Sequence, residues 1–142
     1  MTSLSPSAEA GRVRTVRLLS AGAAAVTAVL YLMIGFGVLE VGKTTTEGTQ
    51  DPFAFGTLLG GVYAVTAVLL ARFSSRVLWI GVAVLQLIVI VGYFALANIR
   101  IPAIETNGLL VKAAQGVVLA SMGWLLLRGG STAPTHEIRT RR

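Results

Sequence analysis

The chain contains no cysteine, which removes disulfides, thiol relays, iron–sulfur clusters and thiolate metal sites together. Histidine is nearly as scarce. The one residue, His136, stands in a polar C-terminal stretch, so neither a haem held between helices nor a histidine metal centre is expected, and no cofactor is implied. Charge is also thin: 13% of residues are charged against a hydrophobic share of 54%, with a mean hydropathy of +0.77. A soluble domain carries roughly 25% charged residues. Acid is scarcer than base, with six Asp and Glu against twelve Lys and Arg and a net charge of +6 in 142 residues. No carboxylate falls inside a long apolar run, which argues against the mid-membrane acid that coupled carriers use.

What the chain has in abundance is uninterrupted apolar sequence. No Lys, Arg, Asp or Glu occurs from Leu18 to Leu39, from Pro52 to Ala71, or from Val77 to Ile99, and the run from Leu109 to Leu127 holds only Lys112. A helix crosses a bilayer in about 20 residues, so each run is long enough. Backbone groups in hydrocarbon must pair within their own segment, and the runs lack the alternation that barrel strands need, so they are read as helices. The prediction is an all-α membrane protein, an antiparallel four-helix transmembrane bundle with spans near residues 18–39, 53–71, 77–98 and 108–127 inside a membrane domain of residues 12–128. Arg12, Arg14 and Arg17 precede the first run, which is too long for a signal-peptide core and reads as a retained signal anchor. Residues 1–11 and the basic stretch 129–142 are rich in Ser, Thr, Pro, Gly and charge and are expected to be disordered tails.

Sorting the basic residues by segment places nine before span one, between spans two and three, and after span four, against Lys43, Arg100 and Lys112 elsewhere. The positive-inside rule then puts both termini in the cytoplasm of a multi-pass protein of the cell membrane. The same residues sit just beyond span ends, where anionic headgroups of the cytoplasmic face are their expected partners. Nucleic acid is not, because no basic stripe is interleaved with aromatics. Helix punctuation is ordinary. Asp51-Pro52, Ser74-Ser75 and Thr106-Asn107 are candidate starts for spans two, three and four.

Polar residues inside the spans are the candidate site. Gln86 lies mid-span in IGVAVLQLIVIVGYF, too deep for its amide to reach either interface, and span four supplies Gln115 about one helical turn away in depth. A hydrogen bond between the two amides would fix helix register; alternatively both line a polar path or grip a ligand. Gly108, Lys112 and Gln115 share one helical face. Lys112 is expected to snorkel outward or to pair with Glu40 at the end of span one. Gly56, Gly60 and Ala64 form a small-residue stripe in span two, repeated more weakly by Gly116 and Ala120 in span four, and such stripes let membrane helices pack within a chain or between chains. The aromatics, Tyr31, Tyr63 and Tyr93 among them, are read as interfacial anchors where they fall near span ends.

Runs such as LYLMIGFGVLEVG, LLGGVYAVTAVLLARF and VLWIGVAVLQLIVIVGYF give the chain a resemblance, over most of its length, to small four-span bacterial integral membrane proteins with no defined function. The likeness carries no functional residue. Families with known activities fit less well: the mid-span glutamate of small multidrug transporters is missing from span one, as are the cysteines of disulfide-relay membrane enzymes and the arginine-containing motif of fluoride channels. DoxX-like proteins match in size and span number alone.

Three functional classes follow. The first is a non-catalytic membrane protein that self-associates or assembles with a membrane partner, expected from the small-residue stripes and the lack of catalytic groups. The second is an oligomeric small transporter or channel with a path lined by Gln86, Gln115 and Lys112. The third, an enzyme using the loop acids Glu40, Glu47, Asp51 and Glu105, has no His, Cys or metal-ligand spacing to support it.

Overall fold

A computed structural model of the protein describes residues 6–41, 43–44, 51–96, 100–101 and 104–128. Its elements are α1 (Pro6–Gly35), β1 (Lys43–Thr44), α2 (Pro52–Arg72), α3 (Arg76–Ala95), β2 (Arg100–Ile101) and α4 (Thr106–Arg128). All four helices are long and apolar enough to cross a membrane. The apolar runs therefore become helices, as the need for internal backbone pairing requires.

The boundaries correct the expectation in three places. Residues 6–11, expected within a disordered tail, belong to α1, which Pro6 opens and Glu9 supports in its first turn. A proline suits the first helical position, and an acid there complements the helix dipole. At 30 residues α1 is about 45 Å long, against a hydrocarbon core of about 30 Å, so its first turns with Arg12 and Arg14 exceed one span. The helix also stops at Gly35, short of Leu39. Gly37 takes φ +71°, its N–H donates to the Ile34 carbonyl at 3.0 Å, and the Val38 N–H donates to the Met33 carbonyl at 2.8 Å. This pairing closes a helix through a left-handed residue that glycine adopts without a Cβ penalty. Similarly α3 ends at Ala95 rather than at 98; residues 97–98, like the tail 129–142 and Glu47, lie outside the described residues.

Of the expected caps, Asp51 acts as one: its Oδ1 accepts from the Phe53 N–H at 3.0 Å. Ser75 stands at the N-cap of α3 without a side-chain capping bond. Asn107 reaches away from its own helix, and its Nδ2 donates to the Glu40 carbonyl at 2.8 Å, tying the start of α4 to the end of α1. The long connections are also joined by the antiparallel pairing of β1 with β2, Lys43 opposite Ile101 and Thr44 opposite Arg100.

α1 packs closely against α2 and α4, and α4 against α3. The helices are thus ordered α2, α1, α4, α3, and the remaining seam lies between α2 and α3, which are joined by residues 73–75 but are not a closely packed pair. Glycine sets the tightest contact. The backbone of Gly56 in α2 lies on that of Gly35 in α1, and a Cβ at Gly56 would also come within 2.6 Å of the Tyr31 carbonyl oxygen. One turn on, a Cβ at Gly60 would meet the Leu32 side chain at 2.8 Å. Gly56 and Gly60 are therefore spent inside the chain, whereas Ala64 is exposed, nothing stands within 4 Å of a Cβ at Gly116, and Ala120 is exposed. Large apolar side chains such as Val65, Ile88, Val91 and Val117 point outward, as lipid-facing residues do.

Gly56→Ala should lower stability by about 1–3 kcal/mol, because neither backbone can yield to the added methyl. Gly61→Ala, where nothing lies within 4 Å, should be neutral or raise it by up to about 1 kcal/mol. Unfolding in mixed micelles with increasing denaturing detergent reads both.

Candidate functional site

Five side chains from four helices meet in one hydrogen-bonded line. Lys112 in α4 donates from Nζ to Gln115 Oε1, one turn further along the same helix, at 2.8 Å, and to the Tyr31 hydroxyl of α1 at 3.1 Å. Gln115 then donates from Nε2 to Tyr31 at 3.1 Å and to the Tyr63 hydroxyl of α2 at 2.7 Å. The Tyr63 hydroxyl donates in turn to Gln86 Oε1 of α3 at 2.9 Å. Gln86, Gln115 and Tyr63 are fully buried, and Tyr31 is nearly so.

The helix positions explain why these groups converge. Gly35 against Gly56 brings the end of α1 onto the start of α2, which lets the Tyr31 and Tyr63 rings stack with centroids 5.5 Å apart and planes at 20°. At the other seam Gly108, in the first turn of α4, lies against the Tyr93 ring, and a Cβ there would come within 2.8 Å of Cζ. The Lys112 ammonium enters between the two aromatic walls, 4.9 Å from the Tyr93 centroid and 5.7 Å from that of Tyr31. An ammonium over an aromatic face gains from the ring quadrupole, more so away from water. All three tyrosines of the chain are thus gathered round the single lysine of the spans.

Two expected pairings change form. Gln86 and Gln115 do not bond directly; the Tyr63 hydroxyl stands between them, accepting from one amide and donating to the other. The Lys112 ammonium turns inward to Gln115 and Tyr31 rather than to Glu40, which is exposed and contributes its main-chain carbonyl to Asn107. The physical reason is depth. Lys112 is the seventh residue of α4, low enough for Gln115 and the phenols to be nearer than the helix end.

The tyrosines are what a reading of the sequence passes over. Tyr31, Tyr63 and Tyr93 are all buried inside the bundle. Tyr63 could have been found, since it is the twelfth residue of the 21-residue α2, as far from both ends as Gln86 is in α3. A phenol at that depth needs a partner as much as an amide does. The smaller interior hydroxyls are satisfied locally: Ser20, Thr27 and Thr66 donate to the carbonyls of Val16, Ala23 and Val62, each four residues back. Among the described residues, the buried nitrogens without a partner are Gln86 Nε2, Trp79 Nε1 and Arg17 Nε.

The line consists of amides, phenols and one ammonium. Such groups bind, orient and relay hydrogen bonds. Of the loop acids, Glu40 and Asp51 are exposed, and Asp51 is occupied as a cap. No group of three or more His, Cys, Asp or Glu positioned to hold a metal ion occurs among the described residues. In comparisons with protein-family models, curated proteins and solved structures, no match to the chain was found.

Removing the Tyr63 hydroxyl separates the two amides while keeping the stacked ring. In a double-mutant cycle of Tyr63→Phe with Gln86→Leu, a coupling of about 1 kcal/mol is expected from detergent-denaturation midpoints. Lys112→Met should destabilise the protein, whereas Glu40→Gln should leave its midpoint unchanged; equal effects from the two would restore the ion pair.

Proposed function

We propose that the protein is a non-catalytic multi-pass membrane protein whose working part is the polar line, which recognises a small guest molecule inside the bundle. The carrying observation is convergence: the span lysine, both mid-span glutamines and all three tyrosines of the chain surround one locus. Register alone needs less. One amide paired to a backbone carbonyl would fix the helices, at roughly 1 kcal/mol. The geometry favours this reading over assembly through Gly56 and Gly60, because those glycines are covered by α1. The distribution of basic residues supports placement of both termini in the cytoplasm of a cell membrane, with the β1–β2 ribbon and the Lys112 end of the line on the outer side.

Assembly with a second copy or another membrane protein is a second reading, carried by a different face. On α4, Gly116 has open space beside it and Ala120 is exposed, so a small-residue surface is available to another helix.

Native mass spectrometry of the full chain released from its own membrane tests both readings. Recognition predicts a retained small molecule that is lost, or at least tenfold less occupied, in Gln115→Leu while the protein stays folded; a wild-type mass equal to that of the bare chain would sink it. Assembly predicts a dimer or a heteromeric mass that Ala120→Leu dissociates.

A further inference from the structure

The hydrogen bonds of the interior all run one way, and chemistry forces the direction. An ammonium donates and never accepts. Lys112 therefore obliges Gln115 to present its carbonyl oxygen, which turns the Gln115 NH2 toward Tyr31 and Tyr63. Tyr63, having accepted, holds a single proton and gives it to Gln86 Oε1. That leaves the Gln86 NH2 pointing away from the line, fully buried and without an acceptor. Rotating the amide by 180° gives no relief. The Tyr63 oxygen could then accept from the NH2, but the Tyr63 proton would lose its acceptor, so one buried donor would still go unpaired.

A buried amide donor left unpaired is costly, and here it stands at the eleventh of the 20 residues of α3, far from either helix end. Resting on the recognition reading above, we propose that this NH2 is the deep end of the site and that it binds the carbonyl oxygen of an uncharged, membrane-soluble amphiphile. Three features select that chemistry. The vacant position is a donor, so the guest must accept. A carbonyl accepts without bringing a proton that would itself need a partner, unlike a hydroxyl. The guest is neutral because Gln86 is flanked along its face of α3 by the buried Val82 and Tyr93, and Lys112 lies at the opposite end of the line. Burying an anion there would cost far more than one hydrogen bond returns. Entry is through the seam between α2 and α3, the one neighbouring pair whose backbones do not pack closely and which the Tyr63–Gln86 bond spans.

The test uses the full chain in detergent micelles with three probes of one chain length: methyl dodecanoate, dodecanoate and dodecane. Methyl dodecanoate should raise the unfolding midpoint and dodecane should not, and its apparent affinity should fall about tenfold in Gln86→Met, the size of effect one good hydrogen bond gives. The infrared band of methyl [1-13C]dodecanoate should shift to lower frequency on wild-type protein, a readout that stands even if the variant does not fold. The proposal is overturned by stabilisation from dodecanoate alone, which places recognition at the Lys112 charge. Equal stabilisation by all three probes, meaning apolar packing only, also overturns it, as does an ester band unshifted from its value in empty micelles. If the ester fails while a native guest is still retained, this assignment falls and the recognition reading stands; if neither is seen, both fall.

Discussion

The interior of this protein is organised by the inability of one ammonium group to accept a hydrogen bond. Lys112 is half-buried among aromatic rings, and it donates to Gln115 and Tyr31. Each later group in the line then has its orientation decided for it, through Tyr63 to Gln86. In water such a chain would be soft, because solvent offers every group an alternative. Inside a bilayer the alternatives are absent, so the sequence of donors and acceptors becomes a structural specification.

That line could not assemble without close backbone approach elsewhere. Burial drives little association when the surrounding solvent is as apolar as the helices, so surface shape decides which helices meet. Gly35 and Gly56 bring α1 and α2 together backbone to backbone, and Gly108 lets Tyr93 lie over the start of α4. These contacts set the ring stack of Tyr31 on Tyr63 and the aromatic walls around Lys112. The Asn107 bond to Glu40 and the β1–β2 pairing then join the connections at the same end of the bundle. Small residues and polar residues thus have one common task. Glycines set the distances across which the polar side chains reach.

Much of this was legible in the chain and some was not, for reasons that can be named. The absence of charge over Pro52–Ala71 or Val77–Ile99 leaves a helix as the one conformation open to a lone apolar span. The depth of Gln86 demanded a partner inside the bundle, and Gln115 was the natural candidate. The intervening Tyr63 was obscured because tyrosine is usually read as an interfacial residue, although its place mid-helix carried the same message as the glutamine. The general habit of long cations to snorkel points Lys112 outward; which way such a flexible side chain turns depends on the groups across the bundle. Composition hides the start of α1, because Ser, Pro and charge signal disorder, while Pro6 and Glu9 in those positions begin a helix.

By itself, then, the sequence determined that this is a membrane chain of four apolar helices with a few polar groups in the wrong solvent, because hydropathy over about 20 residues and the need to pair backbone groups are local properties. Only the tertiary structure decided the order α2, α1, α4, α3, the use of Gly56 inside the chain rather than between chains, and the insertion of one phenol, Tyr63, between the amides. Those outcomes depend on distances between residues up to 84 positions apart, and no local pattern encodes which of several equally apolar helix faces will meet.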